Sequence, residues 1–153
     1  MEKDTFLVFC HNEFSKRGFK KRKSMYYLNG EKDVLCGIWL KKSNFGPEYV
    51  VMYYFYVGSF ASPKEYPGRF DFDLTGYIEV MSKITYKGEY FLTGGISYEQ
   101  YTEQELIPYF ENAFNKFILP PVQEGKTYLL MNHNHLGFPV QRDKNEILDK
   151  LSN

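Results

Sequence analysis

Tyr49-Val50-Val51-Met52-Tyr53-Tyr54-Phe55-Tyr56-Val57 is apolar or aromatic at all nine positions. A strand with one wet face alternates apolar with polar residues, whereas this run offers water no polar side. It therefore predicts a central strand covered on both faces, and the rest of the chain must supply the two covers.

Working outward, Asp33–Lys42 reads as a neighbouring strand. Val34, Cys36, Ile38 and Leu40 fall on one face, and Leu35, Gly37 and Trp39 on the other. Ser24–Leu28 reads as a further strand, and Asn29-Gly30 predicts a type I′ hairpin because both central residues need positive φ. Beyond the central run, Ser59–Gly68 carries Pro63, Pro67 and Gly68 and reads as an irregular loop. Arg69–Thr75 alternates, predicting a strand with Phe70, Phe72 and Leu74 inward and Asp71, Asp73 and Thr75 toward water. Tyr77–Tyr86 and Glu89–Leu92, parted by Lys87-Gly88, suggest another hairpin.

Helices flank these strands. A first helix is expected over Asp4–Arg17, with Asp4 as N-cap, a stripe of Phe6, Leu7, Cys10 and Phe14, and a Schellman end at Gly18-Phe19. Thr102 and Glu105 have capping-box spacing and open a helix to Leu119. Leu106, Phe110, Ala113, Phe114 and Phe117 form its apolar face, and Pro120-Pro121 is expected to stop it. Asp143 and Glu146 open a terminal helix with Ile147, Leu148 and Leu151 facing inward. Helix, strands, then helices predicts a single α+β domain over 1–153, a mainly antiparallel sheet with helices packed on one face.

Composition narrows the function classes. The 153 residues carry 19 basic and 19 acidic side chains, so no net field gathers nucleic acid or an anionic membrane. No apolar run reaches a membrane span, and Met1-Glu2-Lys3-Asp4 lacks the basic start and apolar stretch of a signal peptide. Cys10 and Cys36 lie in apolar surroundings and are expected as reduced, buried thiols, which favours the cytoplasm. Aromatics make up 19% of the chain, a surplus suited to pleated, half-buried strands.

Four constellations carry possible chemistry. His133 and His135, two apart, would share a strand face and a metal if a third ligand such as His11, Asp71 or Asp73 came close; the alternative is a solvated pair between asparagines. Asp71 and Asp73 would pair as an acid and base or hold a hard cation, but their alternation with phenylalanines favours a plain solvent edge. Six of the eight residues from Lys16 to Lys23 are basic, among them Lys20, Lys21, Arg22 and Lys23, with Phe19 inside and Tyr26-Tyr27 beyond. Cations beside exposed rings bind single-stranded nucleic acid, whereas cations at a helix C-terminus and an early strand are also an ordinary solvated end. Trp39, Tyr53, Tyr54 and Tyr56, with Tyr49, would line a ligand or protein-binding face, or else pack as core. Gly94-Gly95 lacks the residues of a phosphate loop and reads as a turn. No nucleophile elbow and no cofactor signature occur, and neither cysteine has a nucleophile's motif.

One stretch has a family likeness. A first helix closing on Gly18-Phe19-Lys20-Lys21 precedes a strand with Tyr26-Tyr27, a strand ending Trp39-Leu40-Lys41-Lys42-Ser43, and a third ending near Gly58. Over roughly the first third of the chain this resembles the bacterial domain of unknown function 4304. The resemblance implies a small cytosolic α+β domain with no established reaction. Some proteins of that family resemble, in size and style, immunity proteins that bind and neutralise a neighbouring toxin, an analogy of fold alone. The expectation from these readings together is a non-enzymatic binding domain with a protein partner. A metal-dependent hydrolase using His133 and His135, or a weak nucleic-acid binder through Lys16–Lys23, stands as the alternative.

Overall fold

The computed structural model describes residues 1–58, 60 and 62–153. Its centre is the strand β4, Tyr49–Val57, which buries every odd-numbered residue and half-buries every even one. It pairs antiparallel with β3 (Val34–Lys42), from Val34 opposite Val57 to Lys42 opposite Tyr49. β3 pairs with β2 (Met25–Asn29), and β2 with the short edge strand β1 (Lys20–Arg22). On its other side β4 takes β5 (Leu74–Tyr77) and, nearer its start, β8 (Gly95–Ile96). All these pairings are antiparallel, and the order runs β1-β2-β3-β4-β5.

The helices cover one face. There the odd residues of β4 meet Val34, Cys36 and Ile38 of the sheet and a layer of helical side chains. Helix α1 (Lys3–Ser15) contributes Phe6, Phe9, Cys10 and Phe14. Helix α2 (Glu103–Ala113) contributes Leu106, Phe110 and Ala113, and the rings of Phe9 and Phe110 meet edge to face at 5.1 Å. The short helices α3 (Leu119–Glu124) and α4 (Lys126–Met131) add Val122 and Leu129, and α5 (Lys144–Ser152) adds Ile147 and Leu151. The structure is thus α+β, a mainly antiparallel sheet with helices on one face.

The opposite face is covered by irregular chain. Phe72 lies against Tyr27, Tyr54 and Tyr56, and Met25, Leu35 and Trp39 complete this second, smaller core. Main-chain anchors hold the covering loop, since Tyr27 Oη donates to Pro67 O at 2.8 Å and Asn29 Nδ2 to Phe60 O at 3.1 Å. The expected Ser59–Gly68 loop is irregular apart from one 3₁₀ turn at Pro63–Glu65, with Ser59 and Ala61 outside the described residues.

Local signals read from the sequence reappear with physical detail. The Thr102 hydroxyl accepts from Glu105 N while Glu105 Oε1 accepts from Thr102 N, closing the capping box. At the end of α1, Gly18 N donates to Ser15 O and Phe19 N to Phe14 O, the two bonds of a Schellman end. That helix starts one residue before Asp4, which therefore sits in its first turn rather than at the cap. Asp143 does cap α5, accepting from Asn145 N at 2.8 Å.

Three further expectations fail. Asn29-Gly30 is no two-residue turn: Asn29 pairs with Leu35, Gly30 N donates to Val34 O, and Glu31-Lys32-Asp33 form the loop. Gly30 is required instead because a Cβ there would lie 2.4 Å from Val122 O, where α3 crosses the hairpin. The type I′ geometry belongs to Lys87-Gly88, both at positive φ. Pro120-Pro121 does not end the second long helix. A π-helical turn, Phe114–Ile118, leads from α2 straight into α3, where the prolines fall in the first turn and need no amide partner. Its extra residue per turn brings Ile118 into the core and swings Phe117 to a half-buried position. Finally, Arg69–Asp73 is a turn rather than a strand, leaving Phe70 exposed and Asp73 completely buried.

Candidate functional site

The tyrosines expected to form one face divide between two. Trp39, Tyr54 and Tyr56 pack into the smaller core, with the Arg69 guanidinium 3.9 Å from the Trp39 ring and Lys150 Nζ 3.7 Å from the Tyr56 ring. Tyr53 points the other way, to the helical side. Alternation along β4 dictates this split, because Tyr53 differs in parity from Tyr54's neighbours on the covered face.

The basic run lies on the end of α1 and on β1. Lys20, Lys21 and Lys23 are exposed and Arg22 half-buried, but Phe19, Tyr26 and Tyr27 are all buried. The rings that would stack on bases therefore face inward. Lys16 is committed to Glu13 at 2.6 Å, and the Arg17 guanidinium lies 4.3 Å from the Phe114 ring. The run occupies a sheet edge, where lysines hinder pairing with another strand.

His133 and His135 do not share a strand face, since both lie in the turn after α4. The His133 Nδ1–H lies 3.1 Å from Leu129 O and 3.0 Å from Leu130 O, a cap on the end of that helix. The His135 ring turns to Phe117, 4.7 Å away. Burial, and then the neighbouring His133 charge, hold His135 below the usual histidine value. Among the described residues no three His, Cys, Asp or Glu side chains gather as a metal group.

Asp71 and Asp73 also part company. Asp71 is exposed, whereas Asp73 is 0% exposed and enclosed by partners. Its carboxylate accepts from Val57 N at 2.8 Å and pairs with Arg142 at 2.8 Å and Lys150 at 2.9 Å. This is a buried ion triad that ties α5 and the preceding turn to the end of β4. Cys10 and Cys36 are buried and unpaired, and burial pushes both thiols up.

Two surface features stand out from the rest. The first is a hairpin built on β6 (Val80–Met81) and β7 (Leu92–Thr93), a two-stranded ribbon apart from the main sheet. Ile78 and Val80 root it in the core. Ser82 N donates to Phe91 O, and Tyr86 bridges Glu89 across the Lys87-Gly88 turn. Seven of the twelve exposed large apolar side chains among the described residues fall between Tyr77 and Leu92. Tyr86 is 68% exposed, Ile84 65% and Tyr90 63%. A ribbon of two strands cannot shelter its own side chains, so these rings meet water.

The second is a cleft of about 660 Å³ where α2 passes over the β5 edge. Tyr53 forms its floor. Tyr53 pairs with Gly76 across the strands, and a Cβ at Gly76 would fall 2.5 Å from the Tyr53 ring, so glycine lets the ring lie flat across β5. The Tyr53 ring is buried, while its hydroxyl opens on the cleft and bonds to no other described residue. Burial, with Cys36 and Glu79 adding negative potential, raises its phenol well above the usual value. Tyr109, Asn112 and Phe117 wall the helical side, and Thr75 and His135 the far end. Thr75 is held there by paired bonds to Gly137, at 3.0 and 2.7 Å.

Sequence reading missed both features. The hairpin was legible as a hairpin, but nothing local says that no layer covers it. The cleft depends on Tyr53 reaching across Gly76, a pairing set by register. Comparison with family models, curated proteins and solved structures returns no match.

Proposed function

We propose that this chain is a non-enzymatic binding domain that docks another protein through the hairpin from Val80 to Thr93. The observation that carries the reading is the concentration of exposed rings and aliphatic side chains on that ribbon. Large apolar groups clustered in water mark interaction surfaces, and tyrosines supply contact area at low entropic cost. The Lys87-Gly88 turn and the Tyr86–Glu89 bridge define the tip's geometry without a partner. The family resemblance makes a neighbouring toxin the first partner to try. No helix among the described residues is long and apolar enough to cross a membrane.

The test compares the native chain with a Tyr86→Ser, Tyr90→Ser double variant in affinity capture from the source cell. Both side chains are exposed, so the variant should melt with the native chain. The expected result is one stoichiometric partner, retained about tenfold or more weakly by the variant. Equal retention by both chains, or an eluate of abundant chaperones alone, overturns the reading.

A further inference from the structure

The cleft beneath α2 touches the hairpin at Leu92 but has a separate use. We propose that it binds a small aromatic amine, with the ring between the helical and strand walls and the ammonium near Tyr53 and Glu79. Three observations carry this assignment: size, an unpartnered polar group and the sign of charge.

A volume of about 660 Å³ lies within the roughly 300–1,000 Å³ typical of small-molecule sites. Leu92, Pro108, Ala113 and Phe117 give it an apolar body, into which a ring fits without losing polar contacts. Phe117, in the π-helical turn, sits at the core's edge and also lines this space.

Tyr53 supplies the polar contact. Its hydroxyl bonds to no other described residue, so the oxygen is free to meet a ligand at the floor of the cleft. As a phenol it accepts from an ammonium or alcohol and donates to a carbonyl. Its high pKa keeps that proton in place at any ordinary pH.

Charge decides between ligand classes. Glu79 is the one carboxylate among the lining residues, and no lysine or arginine is among them. His135 is held toward its neutral form by burial and by His133. An anionic ligand would meet a carboxylate with no compensating cation. An ammonium would meet that carboxylate, the Tyr53 oxygen, and the faces of Tyr77 and Tyr109, which attract cations.

Three probes of matched shape separate the possibilities: 2-phenylethylamine, 2-phenylethanol and phenylacetate, titrated into the full chain by two-dimensional NMR. The amine should bind most tightly, the alcohol more weakly and the acid least, with shifts at Tyr53, Tyr109 and Phe117. Tyr53→Phe keeps the ring and removes only the hydroxyl, and should weaken the amine about fivefold. Glu79→Gln, at an exposed position, should abolish the preference for amine over alcohol while sparing alcohol binding. The proposal falls if the acid binds as well as the amine, or if Tyr53→Phe leaves amine affinity unchanged. It falls equally if amine-induced shifts appear only at the hairpin tip, at Tyr86 and Tyr90.

Discussion

Replacing Asp73 by Ala should be among the most damaging single changes in the molecule. Its carboxylate is wholly buried and holds Val57 N–H, Arg142 and Lys150 at 2.8, 2.8 and 2.9 Å. The two cations differ from it in one respect: their side chains are 23% and 30% exposed, so both can rehydrate once released. The loss then consists of the charge-assisted bonds and a Val57 amide stranded without a partner, about 3 kcal/mol altogether. With a urea m-value of about 2 kcal/mol/M, the unfolding midpoint should drop by about 1.5 M. Removing the cations instead leaves the carboxylate buried and unpaired. Arg142→Met and Lys150→Met should each cost less than Asp73→Ala, while the double variant should cost about 3–5 kcal/mol, more than the sum of the singles. Equilibrium urea unfolding, followed by tryptophan fluorescence from Trp39, measures every variant on one scale. If Asp73→Ala moves the midpoint within error only, the triad does not hold α5 to the sheet and the reasoning is wrong.

Other expectations follow from the same geometry. Phe72→Ala empties the centre of the smaller core and should cost about 3–5 kcal/mol in urea unfolding, whereas Phe70→Ala, one turn away and exposed, should cost nothing measurable. Thr102→Ala breaks the capping box of α2 and should cost about 1 kcal/mol by the same assay. His135 should titrate below 6.5 in an NMR pH series. Since the unfolded chain takes up that proton more readily, the stability His135 contributes is present above 6.5 and is lost as the pH falls from there through its lower folded value. A midpoint at or above 6.5 would contradict the partial desolvation of its ring beside Phe117.

What the sequence discloses here is what neighbouring residues settle among themselves. Tyr49–Val57 is legible to the residue because its uninterrupted apolar run admits only a doubly covered strand. Thr102 with Glu105, and Gly18 with Phe19, are legible because their partners lie within a turn. Asp73 is misread because its counter-ions come from the far end of the chain, Lys150 being 77 residues away, and alternation alone sends an aspartate to water. Gly30 fits a turn signature, but its smallness serves the passage of α3 instead. Pro120-Pro121 looks like a stop, and a π-helical turn just before it converts the stop into a start. The candidate site was less visible still. Sequence groups Tyr53 with Tyr54 and Tyr56, from which strand alternation separates it. Sequence puts Tyr86 and Tyr90 in a hairpin but does not show that it stands uncovered, since exposure is a property of the layers that fail to reach it.

The reading of this chain as a protein-docking domain turns on whether the exposed hairpin touches a partner. A photoreactive phenylalanine analogue at Tyr86, with a control at Phe45, answers this inside the source cell. Phe45 is wholly exposed on the loop between β3 and β4, far from the ribbon in sequence and equally apolar. Irradiation should give one discrete heteromeric adduct from position 86, none from position 45, and loss of the adduct when Tyr90→Asp is added. The same smear of products from both positions, or no adduct from position 86, would contradict the account.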